Sequence, residues 1–534
     1  MTLTQAVLIS LWVFLVQSRA LGYATLSLRF SPLVTGLVVG LILGDVPQAL
    51  SVSALLQLVY LGVFAPGGPM PAEPCFASAT AVSVVLLGNL PPVAGILIAI
   101  PVGIYSGKLY TLRYKYNTAF MGDLQTSIDA LDERSLTRNI LIRPILASFF
   151  LFVPLLVVFL LVVAPSLAQT LASFVTPDVT RILNLVTLGV SIIGMVVMVT
   201  IVGQKQHRIF FYGAYVLASV ITQDPGFILV AILVGLIVGV FFAMRKFGGL
   251  VDPVYPVSSS RSLLTKGDVH GAWFRWWWAN EITHTLDTLI GPSFFIGVRP
   301  ALRILYPDPD DLKEAYERHL RYFNTQCNWG GGTITGVILN LENARAVSIL
   351  DGESPLFDSE AIHTTKTGMM GALAGIGDAV DSGNVQFLFI AAGFPFLLEG
   401  NDLGALLPWI GFMGLTYLYG WYFTWHGYQK GRYAALEIVG GKKTKILREI
   451  LTIAAMVTLG AFSATVIRFP LPNYLTDLNV GTDARIVATL YSSLISSLFY
   501  FVLLAVFTKH GSKYKPALLI IAAIITLLAG IHLI

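Results

Sequence analysis

Charge is what this sequence has least of. Only 34 Lys and Arg and 30 Asp and Glu occur among 534 residues, 12% against about 25% in an ordinary soluble domain. A soluble chain of this length forms two to four domains with charged skins, and the charge for them is missing. Cysteine is scarcer still, since Cys75 and Cys327 alone make neither a disulfide framework nor a thiolate metal site. The eight histidines include no pair at metal-ligand spacing, so neither a metal nor another cofactor is implied. A net charge of +4, small and scattered, argues against a nucleic-acid partner. What abounds is apolar: 55% hydrophobic residues and a mean hydropathy of +0.75. That excludes disorder and reads as an all-α polytopic membrane protein surrounded by lipid.

The apolar run Ala6–Val16 has the length of a signal-peptide core. No basic residue precedes it and no cleavage site leads into a soluble domain, so it reads as the first membrane element. Further apolar stretches follow at Leu33–Leu43, Val52–Phe64, Phe76–Ile104, Ile140–Val163, Ile182–Val202 and Phe227–Met244. After a gap come Leu286–Val298, Gly368–Leu398, Leu403–Tyr422, Ile450–Val466, Ile486–Phe507 and Ala517–Ile534. Several fall short of the ~20 residues that span a bilayer or are broken by Gly and Pro, which predicts re-entrant or cavity-lining pieces.

Cations cluster over Lys108–Arg143, Lys430–Arg448 and Lys509–Lys515, whereas Ala164–Thr180 and Pro470–Asp483 carry none. The positive-inside rule places the first three in the cytoplasm and the last two outside. Between the halves, 246–266 turns to Gly, Pro, Ser and basic residues and reads as a cytoplasmic linker. The run Trp273-Phe274-Arg275-Trp276-Trp277-Trp278 predicts an anchor at the lipid–water boundary. The polar region Arg299–Thr367 is read as a solvated helical face, too short for a fused soluble enzyme. Within it His319 is expected near the cytoplasmic surface as a contact residue, and Cys327 is expected to be a packed thiol.

Polar residues inside apolar segments need a reason, because each costs several kcal/mol unless paired or wetted. Gln57 is one, followed by the helix-breaking Ala65–Pro74 stretch with Gly67, Gly68 and Glu73. Backbone groups freed by Pro and Gly, beside an amide and a carboxylate, suit a sugar; a structural kink with Glu73 facing water is the alternative. The second is the glycine-rich stretch Gly368–Asn384, with Gly377, Asp378 and Asp381. Its glycines alone would serve helix packing, but that does not explain the carboxylates. A broken segment in each half points to a transporter site.

These strings carry a resemblance. Arg318-His319-Leu320, Phe323-Asn324-Thr325, Lys366-Thr367-Gly368-Met369-Met370-Gly371, Gly375-Ile376-Gly377-Asp378 and His426-Gly427-Tyr428-Gln429-Lys430-Gly431 resemble enzyme IID of the mannose-type sugar phosphotransferase systems. Pro32-Leu33-Val34, Gly40–Asp45, Leu56-Gln57-Leu58 and Gly67-Gly68 make the first half similar to its partner, enzyme IIC. The resemblance implies an IIC-like domain over 1–245, the linker 246–266 and an IID-like domain over 267–534, of related folds in opposite orientation. It departs at Pro71-Ala72-Glu73, commonly Pro-Pro-Asp, and at Trp278-Ala279-Asn280-Glu281, commonly Trp-Asn-Tyr-Glu. It implies a permease of the bacterial inner membrane that takes up a hexose or related sugar, assembles as a trimer, and presents the sugar to phosphorylated enzyme IIB, itself supplied through IIA. No catalysis is expected from this chain alone. Gln57, Gly67, Gly68, Glu73, Asn280, Glu281, Gly377 and Asp378 are the expected sugar-binding residues. Two other classes remain open: an ion-coupled secondary transporter using Asp378 and Glu73, and a membrane enzyme using Asp378 and Asp381 as acid and base.

Overall fold

Proline and glycine set the helix ends along the first half. Helix α1 is Leu3–Gln17, α2 is Ala24–Arg29, α3 is Pro32–Leu43, α4 is Val46–Tyr60 and α5 is Pro74–Leu87. Pro32 and Pro74 occupy first turns, where a missing N–H costs nothing, and Gly44 ends α3 at φ 90°. Asp45 caps α4 by accepting from the Gln48 amide at 3.0 Å. A computed structural model describes residues 1–63, 71–222, 224–253, 255 and 261–466, and no strand is found among them. Helices α1, α3, α4 and α5 are too short to cross a bilayer upright, at ~1.5 Å per residue.

Seven helical stretches among the described residues are long and apolar enough to cross: Pro92–Asp129, Glu133–Phe174, Pro177–Val202, Phe227–Phe247, Ser359–Leu398, Asp402–Lys430 and Tyr433–Val466. Polytopic all-α architecture is therefore present as expected. The expected segments Ile486–Phe507 and Ala517–Ile534, their flanking loops, and Gly67 and Gly68 lie outside the described residues.

The two halves share their cores. The helix Lys442–Val466 packs along Arg208–Ile221 and Phe227–Phe247, and its Phe462 and Met456 join a cluster with Leu33, Phe211 and Tyr215. Close approach depends on glycine: a Cβ at Gly235 would lie 2.8 Å from Ala454 Cα, and one at Gly239 2.8 Å from the Ile450 carbonyl oxygen. Two small residues four apart bring the backbones together without side-chain interference. Gly239→Val is expected to push these helices apart and cost about 1–3 kcal/mol, seen as a lower unfolding midpoint of the purified protein in detergent. An unchanged midpoint would mean the helices part without cost.

Four expectations fail here. Trp273 and Trp276 are fully buried and Trp277 nearly so, so the tryptophan run is core and not an interfacial anchor. Their i, i+3, i+4 spacing puts them on one inward face, while Phe274 and Arg275 point outward. Leu286–Val298 supplies no span; Gly291–Leu305 is a helix packed inside the second half. The region Arg299–Thr367 is not one solvated face either, since it holds the buried helix Thr333–Leu350. Arg318 and His319 belong to that interior, so His319 is a core residue and no surface contact. Glu342 accepts from Arg318 Nε at 2.7 Å and Nη2 at 2.8 Å, His319 Nε2 lies 2.7 Å away, and Tyr306 donates at 2.5 Å. Cys327 is buried, as expected of a packed thiol.

Candidate functional site

The chain between α1 and α3, Gln17 to Ser31, is the hub around which the expected site residues are placed. Gln17 Nε2 donates to Glu73 Oε2 at 2.7 Å, and the Arg29 guanidinium donates twice to Glu73 Oε1. Arg29 also stacks on Tyr110 from the helix α6, Ile96–Ala119, 3.7 Å from the ring centre. Glu73 is thus buried and engaged at both oxygens, which overturns the alternative in which it faces water. One residue beyond Arg29, the Phe30 carbonyl accepts from Gln57 Nε2 at 3.2 Å, while the buried Gln57 Oε1 has no partner among the described residues.

Toward the other half, Arg19 Nη2 meets Glu281 Oε2 at 2.5 Å and its Nη1 donates to Thr25 at 3.1 Å. Both members of this pair hold left-handed backbone, φ 63° at Arg19 and φ 60° at Glu281. Non-glycine residues keep that conformation only where their surroundings impose it. Arg113 imposes it at Glu281: it donates to the carbonyls of Glu281 and Ile282, the latter at 2.8 Å, and to that of Gln17 at 2.6 Å. Arg113 is therefore a fully buried clamp between the halves, not one of the exposed cations of the Lys108–Arg143 cluster. Burial opposes ionisation of Glu281, but Arg19, His284 and Arg29 outweigh it and hold the carboxyl down at about 2. It stays an anion at any physiological pH. The neighbouring Asn280 is buried, with Nδ2 unpartnered among the described residues.

The glycine-rich stretch adds the last group. Asp381 is fully buried and accepts from Gln326 Nε2 at 2.6 Å, Asn328 Nδ2 at 2.8 Å, Trp329 Nε1 at 2.9 Å and the Tyr419 hydroxyl. Gln326 also donates to Tyr23 of the hub at 2.9 Å. Gly377 makes room for that glutamine, since a Cβ there would lie 2.6 Å from Gln326 Oε1. Asp378, one turn earlier, is half-buried and has no hydrogen bond or ion pair among the described residues. The two carboxylates differ in kind: Asp381 is saturated by protein donors, and Asp378 has none among the described residues. Between the halves, Gln57 and Tyr60 face Ser382 and Gln386 across a cavity of about 30 Å³, enough for two or three waters at ~10–15 Å³ each.

Sequence reading missed Arg19, Arg29, Arg113 and Gln326. The first two had a signal, because a cation among apolar residues is as expensive as the carboxylates that were noticed. Arg113 was hidden by lying in a cationic cluster that the positive-inside rule explained too easily.

Residues 263–534 match the family described as PTS system mannose/fructose/sorbose family IID component, and residues 3–245 match PTS system sorbose-specific iic component. Among curated proteins, the PTS system mannose-specific EIID component of Escherichia coli (strain K12) is 32% identical over 207 residues, 38% of this chain and 69% of that protein. The PTS system sorbose-specific EIID component of Lacticaseibacillus casei is 26% identical over 280 residues, 51% of this chain and 95% of that protein. Among solved structures, a chain of the mannose transporter ManYZ and microcin E492 complex aligns with 28% identity and a TM-score of 0.30, covering 51% of this chain and 97% of that one. A chain titled "Structure of membrane protein" aligns at 28% identity and TM-score 0.42, covering 50% and 96%.

Proposed function

Because the chain belongs to the mannose/fructose/sorbose family of phosphotransferase-system permeases, we propose that its sugar site is the polar seam between its IIC-like and IID-like halves. The protein is a multi-pass sugar permease of the bacterial inner membrane, working with sugar and with other proteins of that system. The observation that carries the seam reading is a set of polar groups at expected site positions that have no partner among the described residues. Among the described residues Asp378 is unpaired, Asn280 Nδ2 is an unused donor and Gln57 Oε1 an unused acceptor. A hexose hydroxyl both donates and accepts, so such groups are complementary to it. Glu73, Glu281 and Gly377 then act as positioning residues, through Arg29, Arg19 and Gln326. In this reading 1–245 and 267–534 are the two functional domains, joined by 246–266, and three copies assemble.

The cytoplasmic partner in this reading is phosphorylated enzyme IIB, charged through IIA. Lys115, Arg134 and Arg138 are exposed on the first cationic segment and suit an anionic partner. Reversing these three charges, with Arg113 left intact, is expected to weaken IIB docking about tenfold or more, at ~1.4 kcal/mol per tenfold, while sugar binding persists. Equal loss of both would mean misfolding. The reading as a whole is tested by sugar uptake into membrane vesicles supplied with either phosphoenolpyruvate and the soluble components or a proton gradient. Uptake as sugar phosphate with the first supply is expected; free sugar concentrated by the second alone would restore the ion-coupled alternative.

A further inference from the structure

A second cavity, lined by none of the seam's proposed sugar-binding residues, lies at the cationic end of the IID-like half. It measures about 250 Å³, many times the ~10–15 Å³ that admits one water. The helices Leu407–Lys430 and Lys442–Val466 form its walls, and Asp252, from the segment joining the halves, closes one side. Depth follows from helix geometry. His426 in the wall is four residues, ~6 Å, from the charged helix end at Lys430, which is the thickness of the headgroup layer.

The polar lining sorts into groups already occupied and groups left over. Glu437 is already engaged, one oxygen lying 2.7 Å from His426 Nε2 and the other 3.4 Å from Lys430 Nζ. One Asp252 oxygen takes the Lys442 amide at 2.6 Å. Remaining are the second Asp252 oxygen, the Thr444 hydroxyl and the Lys443 ammonium, none with a hydrogen bond or ion pair among the described residues. An ammonium with a hydroxyl suits a phosphate, and a free carboxylate oxygen beside them accepts from an alcohol. Tyr422 and Leu447, also in the lining, are 55% and 43% exposed on membrane-crossing helices, so the cavity opens toward acyl chains. Trp329 forms its inner wall, and the same indole donates to Asp381, so an occupant would touch a residue that holds the seam.

We infer that this cavity binds a phosphate ester bearing a free hydroxyl, the chemistry shared by a phosphatidylglycerol headgroup and a sugar phosphate. The lipid-facing mouth favours phosphatidylglycerol. The test is native mass spectrometry of the full chain in detergent, titrated separately with phosphatidylglycerol, phosphatidylcholine and glucose 6-phosphate. One phosphatidylglycerol per chain is expected, retained more tightly than phosphatidylcholine, which has the phosphate but no headgroup hydroxyl. Lys443→Glu and Asp252→Asn should each raise its Kd about tenfold, ~1.4 kcal/mol, and Lys443→Arg should restore it. Lys443 is exposed, so Lys443→Gln serves as a second charge-removing variant with no burden on folding. Glucose 6-phosphate binding with the same variant sensitivity, in place of lipid, would support the site with a soluble source. Binding of either ligand that none of these variants changes, or phosphatidylcholine held as tightly as phosphatidylglycerol, would overturn it. A neutral sugar binding normally in all variants separates this result from any failure of the seam.

Discussion

Glu342→Ala is expected to destabilise the protein by about 3–5 kcal/mol, the largest single effect on folding. The reason is the partner left behind. Arg318 is 1% exposed and Glu342 is 0% exposed, so truncation strands a buried guanidinium that nothing else neutralises as closely. His319 and Tyr306 lose their acceptor too. Glu342→Gln keeps one acceptor oxygen and should cost less, which separates lost charge from lost volume. The same cluster sets an acid limit. Burial lowers His319 to about 4 against the pull of Glu342, so at neutral pH it donates Nε2–H as a neutral ring. Burial disfavours charge on Glu342, yet hydrogen bonds from Arg318 and His319 bring its carboxyl below the usual range. Both folded-state values lie below the unfolded ones, so this stability is complete above the ~6.5 of a free histidine and declines as pH falls toward 4. Unfolding midpoints of wild type and Glu342→Ala in detergent, measured from pH 8 to pH 4, check both statements. A wild-type midpoint in the alanine variant would mean the cluster is not buried.

The membrane class and the long spans were legible because hydropathy depends on composition over some twenty residues, and Phe227–Phe247 or Pro177–Val202 meet that test unaided. Thr333–Leu350 was not legible. Its Asn340, Glu342, Asn343 and Arg345 lower the average, yet each finds a partner supplied by a distant segment: Tyr428, Arg318, Arg261 and Glu314. Tertiary pairing makes a polar sequence buriable, and no local window contains it. The tryptophan run failed for a different reason. Aromatic residues suit both the interface and the core, and only the inward spacing of Trp273, Trp276 and Trp277 separates the two. At the seam, the sequence pointed to both members of the Asp378 and Asp381 pair on the same argument of cost. Which one is free depends on Gln326, Asn328 and Tyr419, residues some forty to fifty positions away.

That difference decides the outcome at the site. Asp378→Asn should reduce sugar affinity by roughly 5- to 150-fold, since an unmade hydrogen bond to a buried polar group costs about 1–3 kcal/mol. Folding should be untouched, because Asp378 has no protein partner among the described residues to lose. Glu281→Gln should also weaken uptake, by another route and with a second symptom. It removes the charge that Arg19 meets at 2.5 Å, leaving a cation 3% exposed between the halves, so the unfolding midpoint should fall together with uptake. Sugar binding, uptake and thermal unfolding measured on both variants therefore give two signatures: binding lost alone for Asp378→Asn, binding and stability lost together for Glu281→Gln. Wild-type affinity in Asp378→Asn would remove the free carboxylate from the sugar site and leave its cost inside a membrane-crossing helix without a function to offset it.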